Sequence, residues 1–118
     1  MKYVLLLYSD PSRAASLTPE QIQAARAAVM PQWLELFDYM ERTAKSVDGA
    51  ELDDPPTAKT IRWQDGEPLV TDGPFAETKE QIGGVFFLEC EHLDEAIEIA
   101  ARVPLASRGS VEIRPVVE

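Results

Sequence analysis

The chain has 118 residues, 45% of them hydrophobic, and its 21 acidic and 11 basic side chains give a formal net charge of −10. We predict one domain over residues 1–118 and a cytoplasmic location, because this length suits a single core and the one cysteine, Cys90, excludes an intrachain disulfide framework. The excess of carboxylates argues against nucleic acid and a membrane surface as partners, since both need clustered Lys and Arg.

The N-terminal part of the chain predicts one strand followed by a helix. Residues 2–8 are an apolar run that stops at the turn-forming residues 9–11, which is typical of a buried strand. Thr18, Pro19 and Gln21 then predict a helix start. Thr18 can cap the first turn, Pro19 suits the first helical position, and Gln21 completes a capping box.

The predicted helix has one apolar face and one interruption. Pro31 predicts a kink or a break near Met30, since proline lacks the N–H that a helix interior uses. Apolar residues recur at three- and four-residue spacing on the predicted inner face. They are Ile22, Ala25, Val29, Trp33, Leu36, Phe37, Met40 and Ala44.

The middle of the sequence predicts short strands and a hairpin. Extended segments are expected at about 50–53 and 58–64, after the turn-like pair Asp48-Gly49. Asp65-Gly66 is a strong hairpin signal that connects the second of these segments to residues 68–71.

The last part of the sequence predicts a strand, a helix and a final strand. Residues 82–90 form the most strand-like stretch, and their continuous apolar character predicts burial on both faces. A helix is expected from Leu93 to about Val103, and residues 111–117 alternate apolar and charged side chains as a half-exposed strand does. The residues predicted to point inward from the helix are Leu93, Ala96, Ile97, Ala100 and Ala101.

These elements follow the order βαββαβ with an extra hairpin strand, which indicates an α+β ferredoxin-like fold with both helices on one face of an antiparallel sheet. The other face then lacks a cover, and Val85, Phe87 and either Tyr3 or Leu5 would form an exposed apolar patch. Two such sheets packed face to face would bury this patch, so we predict a homodimer. The two tryptophans are expected to anchor the core or this interface; they are Trp33 and Trp63.

The loop over residues 71–84 is longer than a hairpin connection needs to be. Its sequence is Thr-Asp-Gly-Pro-Phe-Ala-Glu-Thr-Lys-Glu-Gln-Ile-Gly-Gly. The segment resembles the signature of the YCII-related proteins, in particular the branch with an Asp-Gly-Pro-Phe (DGPF) motif, which occupies residues 72–75 here. The first strand, the start of the second helix and residues 109–115 are also similar to the family, so the likeness extends over nearly the whole chain.

The resemblance implies a ferredoxin-like protomer that dimerises into an α+β barrel, and it implies no settled activity for this branch. Two positions depart from the family: Pro31 falls where many members have an uninterrupted helix, and Arg108 falls where relatives often have His. A related branch is associated with a His–Asp pair in a dehydrochlorinase-like activity. The single histidine here, His92, does not match that pair, so this activity is not carried over.

The candidate catalytic residues are Asp72 and Glu80, because a carboxylate can accept a proton or bind a substrate cation. The alternative for Asp72, which its position before Gly-Pro favours, is a structural role in which the carboxylate accepts a backbone N–H in an Asx-type turn. Glu77 and Lys79 are candidate ligand-binding residues, with Lys79 as a clamp for an anion. The alternative for this charged group is a solvated loop with weak ion pairs.

Two aromatic residues complete the candidate site. Tyr8 can hydrogen bond to a substrate at the end of the first strand, or it belongs to the core. Phe75 is a candidate ligand-binding residue, although its position favours a plug that pins the loop to the core. His92 and Cys90 are interpreted as a surface residue and a core residue, and no metal site is predicted. The motif residues with a structural role are Gly73, Pro74, Gly83 and Gly84.

Three functions are therefore open. The first is a small-molecule binding protein or an enzyme with a cleft near residues 72–80, working without a metal or an organic cofactor. The second is a regulatory module that binds an extracytoplasmic-function sigma factor, because family members often occur as neighbours or fusions of such factors. The third is a dimeric scaffold whose motif only shapes a loop.

Between Asp72 and Glu98, eight carboxylates and one lysine give a net charge of −7, which predicts an acidic face beside the motif.

Overall fold

The computed structural model describes residues 1–105 and 109–118 and has an α+β architecture. Short 3₁₀ turns lie at Pro11–Ala14 and Pro55–Thr57. The strands and α-helices of the described residues are, in chain order, β1 (Lys2–Ser9), α1 (Pro19–Thr43), β2 (Ser46–Glu51), β3 (Lys59–Gln64), β4 (Glu67–Asp72), β5 (Gln81–Glu89), α2 (Leu93–Ala101) and β6 (Gly109–Pro115). Arg108, where relatives often have His, lies outside the described residues.

Four strands form an antiparallel sheet in the order β2-β5-β1-β6. The sheet strands and the two helices follow the order βαββαβ, so the predicted ferredoxin-like α+β fold is confirmed. The extra segment is the β3–β4 hairpin, which forms a two-stranded sheet of its own between β2 and β5 in the chain. Its turn residues Asp65 and Gly66 have φ angles of 52° and 81°, as a type I′ hairpin turn requires.

Helix α1 begins as predicted, but it does not break at its internal proline. Thr18 Oγ1 accepts from the Gln21 N–H at 3.1 Å, and Gln21 Oε1 accepts from the Thr18 N–H at 2.9 Å, which forms the capping box. The helix is continuous over Pro19–Thr43, so the predicted break is wrong, and the alternative of a kink near Met30 stays a prediction. Pro31 and Ala27 are both exposed, and water can therefore satisfy the Ala27 carbonyl that the proline leaves without a donor.

Strand β2 begins earlier than predicted. It covers Ser46–Glu51 rather than residues 50–53, and it pairs along its whole length with β5. The turn-like pair Asp48-Gly49 lies inside this strand. The hydrogen bonds to β5 outweigh the local turn preference, because strand formation depends strongly on the neighbouring strand.

The core lies between the sheet and the two helices. Alternate residues of β1, namely Tyr3, Leu5 and Leu7, point to this side and are buried. Cys90 is also buried here, in agreement with its interpretation as a core residue. The remaining buried apolar residues are Leu36, Met40, Leu88, Ala96, Ile99, Ala100 and Val103.

Helix α2 faces the core with a different set of residues from the predicted one. Ala96 and Ala100 are buried as predicted, and Ile99 between them is fully buried although it was not expected there. The small alanines allow the helix to approach the sheet closely with Ile99 at the centre of the contact, so the flanking apolar residues turn outward. The predicted inward positions that are exposed are Leu93, Ile97 and Ala101.

The sheet face that points away from the helices is open in the protomer. Phe87 on this face is 52% exposed. Tyr3 and Leu5 belong to the opposite, helix-facing row of β1, so the prediction that one of them lies on the open face is wrong. The apolar residues of β1 and β5 on the open face are Val4, Leu6, Val85 and Phe87.

The two tryptophans occupy different environments. Trp33 packs against the core from α1, whereas Trp63 on the hairpin is 74% exposed, so a core position for Trp63 is wrong. Ile61 and Val70 on the same hairpin are also exposed. Within residues 1–105 and 109–118, neither helix has the length and hydropathy that a membrane span requires.

Candidate functional site

The motif loop starts at the end of β4, where it is held by β3. The Asp72 carboxylate forms an ion pair with the Lys59 ammonium and stays 83% exposed. Gly73 has a φ of 88° and donates its N–H to the Ala58 carbonyl at 2.7 Å, and Thr60 Oγ1 donates to the Gly73 carbonyl at 2.7 Å. The positive φ explains the glycine. Backbone bonds therefore hold this turn, and the Asp72 carboxylate forms no Asx-type turn in the described part of the chain.

The middle of the motif loop is exposed. Phe75 is 75% exposed, so its predicted role as a plug against the core is wrong for the protomer. The Phe75 carbonyl accepts a hydrogen bond from the Arg62 guanidinium, which attaches the loop to the hairpin. Glu77 and Lys79 are exposed and form no hydrogen bond or ion pair with the other described residues. This part of the loop is available for contact with a ligand or a second chain.

Glu80 and Tyr8, two of the predicted site residues, lie on the open sheet face beside three residues of β6. Tyr8 OH donates to Glu112 Oε1 at 3.3 Å, and Arg114 Nε donates to Glu112 Oε2 at 2.6 Å. Ser110 Oγ donates to Glu80 Oε2 at 3.5 Å. Ser110 is the partner of Tyr8 in the β1–β6 ladder, which brings these groups together. We call Tyr8, Glu80, Ser110, Glu112 and Arg114 the open-face cluster.

The open-face cluster combines a phenol, two carboxylates and a guanidinium. The hydrogen bond and the charge of Glu112 raise the pKa of Arg114, so this side chain stays cationic and can bind an anionic group. Glu80 has no cationic partner among the described residues. The predicted pair of catalytic carboxylates does not meet, because Asp72 is bound to Lys59 on the hairpin while Glu80 lies against β6.

Three residues of the open-face cluster were missed by the sequence interpretation. Glu112 and Arg114 are the charged members of an alternating strand, and alternation alone identifies only a solvated face. The available signal was that this charged face belongs to the same side of the sheet as the predicted apolar patch. Gly83 of the motif adjoins the cluster, since it lies at the register shift that places Tyr8 opposite Ile82.

A cavity of about 900 Å³ lies on the other side of the sheet, between α1 and the strands β2 and β5. Its buried floor includes Leu7, Met40 and Gly84. None of the six predicted catalytic and ligand-binding side chains lines it, and the motif loop contributes only its last four residues, 81–84. We call this space the α1–β2–β5 cavity. The α1–β2–β5 cavity is therefore not the predicted cleft near residues 72–80.

One wall of the α1–β2–β5 cavity is aromatic. The ring centroids of Trp33 and Phe37, both on α1, are 6.0 Å apart. Phe86 of β5 lies 6.4 Å from each of these two rings. The three rings form one contiguous apolar surface that joins the helix to the sheet.

An ion pair spans the cavity from α1 to β2. Arg26 Nη1 and Nη2 donate to Glu51 Oε1 and Oε2 at 2.8 Å and 3.1 Å. The hydrogen bond from Arg26 lowers the pKa of Glu51, and that from Glu51 raises the pKa of Arg26, so both groups are charged. The pair fixes the outer edge of the cavity, because it bridges two elements that are otherwise separated there.

Comparison with known proteins assigns the chain to a family. Residues 1–118 match the profile of the YCII-related domain. The chain belongs to the YCII-related family. The uncharacterised protein R00369 of Rhizobium meliloti (strain 1021) is 36% identical to it over 120 residues, which cover 98% of this chain and 91% of that protein. Membership of the DGPF branch within this family stays a prediction.

A solved structure shares the fold of this YCII-related protein. The 5-chloro-2-hydroxyhydroquinone dehydrochlorinase of Burkholderia phenoliruptrix AC1100, in complex with 2,5-dihydroxybenzoquinone, matches with a TM-score of 0.51. The match covers 100% of this chain and 95% of that chain at 11% identity. At this identity the likeness concerns the fold alone.

The histidine and the cysteine of this YCII-related protein lack the features of a reactive pair. His92 is exposed at the start of α2. Burial raises the pKa of the Cys90 thiol, which keeps it protonated and unreactive. Among the described residues, no three His, Cys, Asp or Glu side chains come together as a metal-binding group.

Proposed function

We propose that this YCII-related protein binds a small molecule in the α1–β2–β5 cavity. The volume of about 900 Å³ is the observation that carries the proposal, because small-molecule sites occupy roughly 300–1,000 Å³. A buried floor and an aromatic wall favour a ligand with an apolar body, since such a ligand displaces water from both surfaces.

Trp33 gives a direct readout of this binding. It lines the cavity, while the second tryptophan, Trp63, is 74% exposed on the hairpin. In a Trp63→Phe background, 4-phenylbutan-1-ol is expected to change the fluorescence of Trp33 in a saturable manner. The alcohol is neutral, so it tests whether the cavity binds a ligand independently of the charges that line the cavity.

Two matched substitutions on α1 test the position of the ligand. Val29 is half-buried and lines the cavity, so Val29→Phe should narrow it and weaken binding of the alcohol about fivefold or more. Ala28 is exposed on the same helix and does not line the cavity, so Ala28→Phe should leave the affinity unchanged. An unchanged Trp33 emission, or an equal loss in both variants, would overturn the proposal.

We also propose that the protein is a homodimer, a dimeric α+β barrel in which two open sheet faces pack together. The exposed Phe87 and the exposed apolar residues of the β3–β4 hairpin support this assembly. The radius of gyration of 16.4 Å supports it too, because a compact domain of this length has roughly 13.5 Å. A second copy would cover the open face and enclose the open-face cluster.

Catalysis at the open-face cluster is a second candidate function. It is favoured by the hydrogen bonds that join Tyr8, Glu112 and Arg114 beside the apolar residues of the open sheet face. In this role Glu80 accepts a proton, Tyr8 donates a hydrogen bond to the substrate, and Arg114 binds an anionic group. The loop residues proposed to contact the substrate from outside are Asp72, Phe75, Glu77 and Lys79.

The ligand of the dehydrochlorinase structure, 2,5-dihydroxybenzoquinone, is a suitable acidic probe for this second site. The absorption of the quinone measures its binding, which Arg114→Gln is expected to weaken. The control is Arg42→Gln, which removes an equally exposed guanidinium on α1 away from the cluster. A quinone that does not bind, or that binds equally to both variants, would argue against an anion site at Arg114.

Two further proposals rest on the sequence. The first is binding to an extracytoplasmic-function sigma factor, and the second is a cytoplasmic location. A pull-down at physiological salt tests the first proposal, and failure to recover a sigma factor would count against it. The acidic surface between Asp72 and Glu98 is the proposed contact for a basic partner.

A further inference from the structure

We infer that the ligand of the α1–β2–β5 cavity is an organic cation with an aromatic or apolar body. This inference rests on the proposed function, that the cavity binds a small molecule, and adds the charge of that molecule. Two features carry it: the charge of the cavity rim determines the charge of the ligand, and the aromatic wall determines its apolar body.

The rim of the cavity has an excess of carboxylates. Both of its cations are already engaged by carboxylates. Arg26 is bound to Glu51 through two hydrogen bonds, and Lys45 Nζ lies 3.3 Å from Oε1 of Glu91, which is not part of the lining. Asp48 also contributes to the lining, but it pairs with Phe87, so its carboxylate lies on the open sheet face. The other charged residues of the lining carry a formal net charge of −2, and they are Arg26, Glu41, Lys45, Glu51, Asp53 and Asp54.

The three remaining rim carboxylates have no cationic partner in the described part of the chain. Asp53 accepts a hydrogen bond from the backbone N–H of Asp54 at 2.7 Å. Glu41 and Asp54 are exposed at the same rim. The backbone bond orients the Asp53 carboxylate without neutralising it. An entering anion is therefore repelled by the rim, and an entering cation is attracted to it.

The aromatic wall accounts for the apolar body of the ligand. The rings of Trp33, Phe37 and Phe86 lie 6.0–6.4 Å apart and form one contiguous surface, which supplies the area that such a body buries. A molecule with both parts can place its body against the rings and its cationic end at the carboxylate rim.

A series of three probes of equal length tests the charge of the ligand. The probes are 4-phenylbutylammonium, 4-phenylbutan-1-ol and 4-phenylbutyrate, each titrated against the full chain with Trp63→Phe and followed by Trp33 emission. We expect the dissociation constant of the ammonium to be about tenfold lower than that of the carboxylate, with the alcohol between them. Raising the salt concentration from about 0.05 to 0.5 M should reduce this preference for the ammonium over the carboxylate, because the rim charges are exposed and salt screens them.

The rim is tested by a double variant with a matched control. Asp53→Asn with Asp54→Asn removes two rim charges and keeps the oxygen that accepts the Asp54 N–H, and it should reduce the preference to about threefold. Glu35→Gln with Glu98→Gln removes two exposed charges outside the cavity lining and should leave the tenfold preference intact.

The outcomes separate this inference from the proposed function. If the alcohol binds but the ammonium binds no better than the carboxylate, the inference is overturned and the proposed function stands. If none of the three probes binds, both fail. If the control variant loses the preference as much as the rim variant does, the overall charge of the protein attracts the ammonium, and the inference is overturned.

Discussion

Arg26 in the first half of α1 and Glu51 at the end of β2 form a bidentate ion pair, whose two N–O distances are 2.8 Å and 3.1 Å. The two residues are 25 positions apart, and the pair connects the helix to the edge strand of the sheet. Few apolar residues of this half of the helix are covered, and Ile22 and Met30 are exposed. The ion pair therefore positions a segment of α1 that the core does not hold.

Replacement of Glu51 by Gln should lower the stability at neutral pH and leave it unchanged in acid. The hydrogen bond from Arg26 holds the pKa of Glu51 below its ordinary value in the folded protein. The stabilisation is thus fully present above the ordinary carboxyl pKa and is lost as the pH falls through the lowered pKa. Both side chains are more than half exposed, so the effect is about 1 kcal/mol or less.

Thermal unfolding of the wild type and of Glu51→Gln over a pH series measures this dependence. Asp38→Asn is the matched control, since it removes an exposed ion pair with Arg42 that lies within α1 and connects no second element. A difference between wild type and Glu51→Gln that is the same at every pH would contradict the assignment to the ion pair.

Phe87 should be required for the proposed homodimer. Phe87→Asp places a charge in the centre of the open sheet face, where a second sheet would have to bury it without a partner. We expect this variant to sediment as a monomer with an unchanged far-ultraviolet circular dichroism spectrum. Leu93→Asp is the control, because Leu93 is 47% exposed on α2 at the other face of the molecule. Monomeric wild type, or dissociation by the control alone, would rule out this interface.

The fold was predictable because its signals are local. The capping box at Thr18, the Asp65-Gly66 turn and the apolar run of β5 each depend on neighbours in the sequence. The errors arose where a distant partner decides the structure. The β5 ladder draws Asp48-Gly49 into a strand, and the contact of α2 with the sheet selects Ile99 over Ile97.

The candidate sites were less predictable, because both are built from residues far apart in the chain. Glu80 stands out in the motif, but Ser110 becomes its neighbour only through the β1–β6 pairing. The aromatic wall unites Trp33 of α1 with Phe86 of β5, and each of them reads as an ordinary core residue by itself. Spacing within one element cannot reveal a site whose members meet across the sheet.

Asp72 and Gly73 should differ sharply in their contribution to stability. Asp72→Asn should leave the melting temperature almost unchanged, because the carboxylate is 83% exposed and backbone bonds hold the turn. Gly73→Ala should cost about 1 kcal/mol, since its φ of 88° is unfavourable for any side chain. Thermal unfolding of both variants measures the contrast. A large loss of stability in Asp72→Asn with none in Gly73→Ala would contradict this prediction and show that the Asp72 carboxylate holds the turn.

Gly109 and Gly83 should respond differently to the same substitution, since only Gly109→Ala is expected to destabilise the protein. A Cβ atom at Gly109 would lie 2.0 Å from the Tyr8 carbonyl oxygen, a backbone atom of the paired strand that cannot turn aside. Gly109→Ala should therefore destabilise the protein by about 1–3 kcal/mol and displace Ser110 in the open-face cluster.

Gly83 provides the matched control for that change in a strand on the other side of β1. A Cβ atom there meets nothing closer than Ser9 Oγ at 4.0 Å, and its φ is not positive. Gly83→Ala should be neutral or stabilise the protein by about 0.4–1 kcal/mol, because alanine restricts the unfolded chain. Chemical denaturation of both variants gives the two free energies of unfolding. Equal losses of stability in the two variants would contradict the difference in space around the two glycines, which is 2.0 Å to the nearest atom at Gly109 and 4.0 Å at Gly83.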